Sequence, residues 1–151
     1  MSEIQDLDGV VSGEEVQLIN RGMKTQLPTL SLTMIVRDEE EQLPQCLDPI
    51  KDVLDEIIIV DTGSKDKTVE IAKKYTDKIY HYEIPKIIYQ GKEIEDLDFS
   101  AMRNYADSFA TCDWILTLDP DERMKPEYIQ ALKLIIAQKP EVIAYEFTIF
   151  N

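Results

Sequence analysis

The stretch Trp114-Ile115-Leu116-Thr117-Leu118-Asp119-Pro120-Asp121-Glu122-Arg123 decides how this chain is read. An apolar, strand-like run ends abruptly in carboxylates. Asp119 and Asp121 lie two residues apart, so on an extended backbone both side chains point the same way. Two hard oxygen donors at the end of a buried strand suit a divalent cation such as Mg²⁺ or Mn²⁺. Asp-Pro-Asp is also good turn chemistry, so the decapeptide alone fits an acidic turn closing a strand equally well.

Working outward, Leu30-Ser31-Leu32-Thr33-Met34-Ile35-Val36 is nearly continuous in apolar and β-branched residues, as buried parallel strands are. It stops at Arg37-Asp38-Glu39-Glu40-Glu41. Leu43, Cys46, Leu47, Ile50 and Leu54 follow at helical spacing, with Pro44 in the first turn. Residues 56–60 predict a second strand, ended by Asp61-Thr62-Gly63-Ser64-Lys65-Asp66-Lys67-Thr68. There Gly63 permits a tight turn, and Asp66 is the expected cap of a helix through Val69, Ala72 and Tyr75. Residues 79–83 predict a short third strand, and 85–98, which has no clean period, a long loop. Ser100 is the expected cap of the next helix. After the strand at 114–118, Pro126 opens a helix that Pro140 ends, and 142–149 predict a fifth strand. This β-α-β-α-β-loop-α-β-α-β order argues for an α/β sandwich with a largely parallel sheet. Residues 1–28, polar and acidic, stand apart as an N-terminal extension, flexible or helical, ahead of a domain over 29–151.

Composition narrows the function. The 151 residues suffice for one domain with a real core, and 44% are hydrophobic against 30% charged. No apolar run approaches the ~18 residues of a membrane span, and the start has no basic-then-apolar leader. Cys46 and Cys112 fit no metal-ligand spacing and read as reduced thiols of a cytoplasmic protein, with peripheral attachment at the inner membrane face as a variant. A net charge of −14 argues against nucleic acid as a partner. The same charge makes a polyanionic ligand odd unless a cation and a few placed basic groups mediate the contact.

Three polar clusters fall at the carboxyl ends of successive predicted strands: Arg37-Asp38-Glu39, Asp61-Thr62-Gly63-Ser64 and Asp119-Pro120-Asp121-Glu122. Open α/β sheets bind ligands outside that edge. Each acidic residue alone also fits a helix cap. Other chemistries fare worse. His81 is the one histidine and reads as structural, and neither glycine-rich phosphate loop occurs.

With these residues in hand, the chain from Leu30 to Asn151 resembles the nucleotide-sugar-binding portion of a family 2 glycosyltransferase of the GT-A (Rossmann-like) fold. Three segments carry the likeness. The first strand runs into Arg-Asp-Glu-Glu. Ile-Val-Asp-Thr-Gly-Ser-Lys-Asp-Lys-Thr resembles the family's VDxGSxDxT segment. Asp-Phe-Ser-Ala-Met-Arg-Asn-Tyr-Ala, followed by Cys-Asp-Trp-Ile-Leu-Thr-Leu-Asp-Pro-Asp-Glu, resembles its DFSxxRNxA and DWILxLDxDE pair.

The resemblance implies a three-layer α/β/α sandwich truncated after its fifth strand, and a nucleotide-diphosphate sugar, foremost a UDP-sugar, as donor. It implies that Val36, Arg37, Asp38 and Glu39 line the nucleoside pocket, Glu39 near the ribose. Asp61 would meet the base beside Gly63, Arg103 and Asn104 the diphosphate, and Asp119 the ribose or the metal across Pro120. Asp121 would ligate Mn²⁺ or Mg²⁺, for inverting transfer to a glycan, lipid-linked or protein acceptor. The sequence departs from the pattern at Thr62, where a second aspartate is frequent, and at Pro120, where a small residue is usual. The family's general base is expected beyond Asn151. Two readings follow: the donor domain of a metal-dependent inverting transferase, or a non-catalytic nucleotide-sugar-binding module completed by self-association or by docking of the missing half.

Overall fold

The computed structural model describes residues 27–138 and 149–150. Chain order is β1 (Leu30–Val36), α1 (Gln42–Leu47), a 3₁₀ turn (Lys51–Val53), β2 (Glu56–Asp61), α2 (Thr68–Ala72), β3 (Ile79–His81), β4 (Lys86–Tyr89), β5 (Lys92–Glu95), α3 (Phe99–Asp107), β6 (Trp114–Thr117), β7 (Arg123–Met124), α4 (Pro126–Gln138) and β8 (Ile149–Phe150). Strands β3, β2, β1 and β6 form one sheet in that spatial order, every neighbouring pair parallel. The chain therefore builds outward from β1 to β3, then crosses back to place β6 on the other side of β1. That reversal makes the β1–β6 boundary a topological switch point, where open α/β sheets leave a crevice at their carboxyl edge.

Side-chain alternation explains the layers. Leu30, Leu32, Met34 and Val36 of β1 join Leu43, Leu47, Ile50, Tyr128, Leu132 and Ile135 in one core. Leu32 is fully buried, and burial of such a side chain contributes roughly 1.5–3 kcal/mol. The alternate residues Ser31 and Thr33 are buried too, and Thr33 Oγ1 donates to the Asp107 carboxylate of α3 at 2.7 Å. All six residues of β2 are buried, as expected of a central strand whose sequence is nearly continuous in isoleucine and valine.

The amino edge of the sheet is tied by one carboxylate. Glu56 opens β2 and is buried. It accepts from Ser31 Oγ, from Lys78 Nζ, and from the N–H and Oγ1 of Thr111 at 2.9 Å each. Burial works against its charged form, yet the bonds from Lys78, Ser31 and Thr111 outweigh it and hold the carboxyl down at about 2. One side chain thus joins the starts of β1 and β2 to the approaches to β3 and β6.

Several expectations are corrected. Residues 86–95 are not loop but an antiparallel hairpin, β4–β5, turning at Gln90 (φ 49°) and Gly91 (φ 75°). Two successive left-handed residues are the geometry that matches hairpin twist, and Gly91 holds its position without Cβ strain. The expected cap Ser100 lies inside α3; Asp98 caps it, accepting from Ala101 N–H at 2.9 Å. Asp66 bonds Thr68 N–H at 2.9 Å, but the cap position of α2 is Lys67. The short strands β4, β5 and β7 add to the five-strand expectation. Most of the expected fifth strand, 142–148, and the extension through residue 26 lie outside the described residues; β8 pairs antiparallel with β7. Among the described residues no helix is long and apolar enough to cross a membrane.

Candidate functional site

A cavity of about 380 Å³ opens at the β1–β6 switch point. The end of β1 supplies Ile35, Val36, Arg37 and Glu39, and the turn after β6 supplies Asp119, Pro120 and Asp121. α3 supplies Phe99, Met102 and Arg103, and Ile84, Leu97 and Thr62 complete the wall. One side is apolar and the other is carboxylate with the guanidiniums of Arg37 and Arg103.

The acidic turn is braced from behind. The Glu122 carboxylate accepts from Asp119 N–H at 2.7 Å, while Glu122 N–H donates to the Asp119 carbonyl at 3.0 Å. Arg123 donates to the carbonyls of Pro120 and Glu122 at 2.8 Å and to Gln42 Oε1 at 2.7 Å. Cys46 Sγ, buried in α1, donates to the Asp119 carbonyl at 3.7 Å. These contacts use backbone and neighbours, which leaves the carboxylates of Asp119 and Asp121 for the cavity. Asp121 makes no hydrogen bond or ion pair among the described residues.

Arg103 supplies the counter-charge. Its Nη2 donates to Asp119 Oδ1 at 3.1 Å. Its Nη1 is buried and has no partner among the described residues. An unsatisfied buried donor costs about 1–3 kcal/mol, so it calls for an acceptor at this position. Glu39 reports the local field. Burial first, then the charges of Asp121, Asp66, Asp119 and Asp38, raise its carboxyl above the ordinary range. Negative potential therefore collects where Glu39, Asp119 and Asp121 meet.

The two loops beneath are zipped together. Asp38 stands at φ 55°, a left-handed conformation that aspartate tolerates. Its carboxylate accepts from Lys65 N–H at 2.6 Å, and its own N–H donates to Ser64 Oγ at 3.0 Å. Glu39 N–H donates to Thr68 Oγ1 at 2.7 Å, and Lys67 N–H to Glu40 Oε2 at 3.0 Å. The Asp61 carboxylate accepts from Gly63 N–H at 3.1 Å and from Ser64 N–H, and lies 3.6 Å from Nδ1 of exposed His81.

Of the residues singled out in the sequence, Val36, Arg37, Glu39, Arg103, Asp119, Pro120 and Asp121 come together around the cavity. Asp38, Asp61, Gly63 and Asn104 do not line it. The short aspartate side chains fold back onto loop N–H groups, and Asn104 faces solvent on α3. The apolar wall of Ile84, Leu97, Phe99 and Met102 went unread as site, although Phe99 stands inside the Asp-Phe-Ser segment. Arg37 is turned outward onto β5, where Nη1 and Nη2 pair with Glu95 at 2.7 and 2.9 Å.

The donor set fits a divalent cation in one particular way. No three His, Cys, Asp or Glu side chains gather into a metal cage among the described residues. Mg²⁺ is commonly held by one or two carboxylates with substrate phosphates completing its shell. Asp119 and Asp121, in a negative field beside an unpaired guanidinium nitrogen, match that pattern.

A parallel sheet with such a cavity at its switch point defines an α/β protein with a ligand crevice at the carboxyl edge of its strands. The chain belongs to glycosyl transferase family 2, whose family model matches residues 31–150. It is 44% identical over 116 residues to a TPR repeat-containing protein of Synechococcus elongatus, covering 77% of this chain and 26% of that protein. It is 31% identical over 126 residues to the SPbeta prophage-derived glycosyltransferase SunS of Bacillus subtilis, covering 83% and 26%. The chain thus spans about a quarter of the length of these curated relatives.

Solved structures share the GT-A fold. S. aureus TarS 1–349 superposes with a TM-score of 0.57 at 20% identity over 74% of this chain and 33% of that one. Glucosyl-3-phosphoglycerate synthase from Mycobacterium tuberculosis, solved with Mg²⁺ and UDP, gives 0.53 at 18% identity over 94% and 46%.

Proposed function

We propose that this chain carries the donor site of a glycosyltransferase that uses a nucleotide-diphosphate sugar, foremost a UDP-sugar, with a divalent cation. The observation that carries the reading is the buried, unpartnered Nη1 of Arg103 in the same cavity as Asp119 and Asp121. A guanidinium pairs well with phosphate oxygens, and it already leans on Asp119. UDP and Mg²⁺ in the synthase crystal support the ligand class.

Each residue then has a task. Arg103 holds and neutralises the diphosphate. Asp121 and Asp119 hold the cation, which when bound would offset charge on the leaving diphosphate. Glu39 and Val36 bound the nucleoside end, and the apolar wall of Ile84, Leu97 and Met102 excludes water there. Asp38 and Asp61 act indirectly by fixing the loops beneath. Transfer is an inverting, in-line displacement. The acceptor heteroatom bonds to the anomeric carbon, the bond to the diphosphate oxygen breaks with its electron pair, and the acceptor's proton passes to a base. None of the described residues is assigned as that base.

Calorimetric titration of UDP with and without Mn²⁺, on the parent and on Asp121→Ala, tests this. Metal-dependent binding that Asp121→Ala abolishes is the expected result. Absence of UDP, GDP and dTDP binding under every metal condition would sink the reading. Binding without release of UDP from UDP-sugars would make the chain a donor-binding module instead.

A further inference from the structure

The β4–β5 hairpin grows out of the cavity wall. Ile84 and Leu97 belong to that wall, and between them the stem of the hairpin is closed by the bond from Asp96 N–H to the Pro85 carbonyl at 2.7 Å. A swing of the hairpin about its stem therefore shifts the wall. Every strand residue of the hairpin is exposed, so little buried apolar surface holds it against the domain. Segments with so little burial open at low cost, and the lids of binding sites are drawn from them.

Alternation puts Lys86, Ile88, Glu93 and Glu95 on one face of the hairpin and Ile87, Tyr89, Lys92 and Ile94 on the other. Lys86 stands opposite Glu95 in register, yet its Nζ bonds Glu93 at 2.8 Å. Glu95 reaches instead to Arg37, just past the end of β1, whose Nη1 and Nη2 donate to it at 2.7 and 2.9 Å. Among the described residues this is the one side-chain hydrogen bond or ion pair from 86–95 to the rest of the domain.

Arg37 also lines the cavity, together with the carboxylates of Glu39, Asp119 and Asp121. Its guanidinium nevertheless pairs with the hairpin and with none of these three. Its backbone is not free to follow the hairpin. The next residue, Asp38, is pinned by Lys65 N–H at 2.6 Å and by Ser64 Oγ at 3.0 Å. The pair thus joins a fixed post on the domain to a lightly held arm.

We propose that Glu95 is a positioning residue of the donor site: through Arg37 it latches the hairpin at the cavity rim as a lid, and nucleotide enters and leaves when the pair parts. The proposal rests on the donor-site reading of the cavity. A bidentate arginine–carboxylate contact has a defined geometry, but its two side chains are 39 and 40% exposed, so water screens the pair and keeps it easy to open. A latch of that strength orders the arm without locking it. Such a gate slows entry and exit alike. Loosening it changes both rates and leaves the equilibrium affinity almost where it was.

Stopped-flow fluorescence of the full chain with N-methylanthraniloyl-UDP and Mn²⁺ reads both rates. Glu95→Gln should quicken uptake and release together by about threefold or more, with the dissociation constant within about twofold of the parent and the thermal midpoint unchanged. Glu93→Gln removes the same charge from the same face but breaks only the pair with Lys86 inside the hairpin, and it should keep both rates near parental values. Without ligand, heteronuclear ¹⁵N NOE values across 86–95 should fall in Glu95→Gln, hold in Glu93→Gln and recover in the exchanged pair Arg37→Glu with Glu95→Arg. Parental uptake and release in Glu95→Gln, faster release with unchanged uptake, an equal effect of Glu93→Gln, or NOE values indifferent to the loss of Glu95 would each overturn the proposal. If UDP binds and Glu95→Gln leaves both rates alone, the lid fails and the donor site stands. If the parent binds no UDP under any metal condition, the donor reading fails and the positioning role falls with it.

Discussion

Replacing Glu56 by glutamine should unfold the amino edge of the sheet more easily, and only above acid pH. The carboxylate is buried and takes bonds from Ser31, Lys78 and Thr111. Its fall from an ordinary 4.5 to about 2 corresponds to about 3 kcal/mol of stability at neutral pH. Because the folded value is depressed, that contribution is complete above the unfolded value and disappears as pH falls through the folded one. Glutamine removes the charge, turns an N–H₂ toward groups that are themselves donors, and leaves Lys78 without its partner. For a chain of this length the loss lowers the thermal midpoint by about 6–12 °C at pH 7. Urea melts of parent and Glu56→Gln at pH 7, 5, 3.5 and 2.5 make the check. The gap should be full at pH 7 and reduced to about a quarter at pH 2.5, just above the folded value. A gap under about 1 kcal/mol at pH 7, or one that does not shrink with acid, refutes the account of Glu56 as the tie between strands.

Three further outcomes follow from the same reasoning. Arg103→Ala should weaken UDP binding about 10- to 100-fold by calorimetry, since hydrogen bonds to charged groups are worth about 1.5–3 kcal/mol, with the melting curve little changed. Asp38→Ala should cost about 1–3 kcal/mol in urea melts, because the Lys65 N–H loses its acceptor, whereas Asp38→Asn tolerates the left-handed backbone, keeps an acceptor and stays near the parent. Gly91→Ala places a Cβ at φ 75°, which costs about 1–2 kcal/mol locally. Amide exchange should then quicken across 86–95 and remain unchanged in β1 and β2.

The parallel sheet was legible because burial on both faces demands continuous β-branched runs, and β1 and β2 show them plainly. β6 was legible through its abrupt end at Asp119. The hairpin was not, since its strands are four residues each and Gln90-Gly91 is a weaker turn signal than Asn-Gly. Within the candidate site, Val36, Arg37, Glu39, Arg103, Asp119, Pro120 and Asp121 meet at the cavity, while other singled-out residues do not line it. Arg103 and Glu39 reach the cavity, whereas Asp38 and Asp61 had nearby loop N–H groups to satisfy, and sequence does not say which acceptor duty an aspartate takes. The apolar wall was missed because Ile84, Leu97 and Met102 are distant in the chain and meet only once the 85–98 segment folds back.

The setting of Cys46 has a practical consequence. Its thiol is buried behind the acidic turn. Burial first, then Glu122, Asp121 and Asp119 against the opposing Arg123, push it up to about 11. A maleimide at neutral pH finds almost no thiolate there. Cys112, the other cysteine, is partly exposed and lines a groove at the opposite edge of the sheet with Glu56, Lys78 and Thr111. The parent chain therefore takes a single dye without any cysteine being removed. That dye sits beside the Glu56 tie and away from the cavity, so the fluorescence of one labelled sample follows the loosening of the amino edge while ligands are titrated at the other.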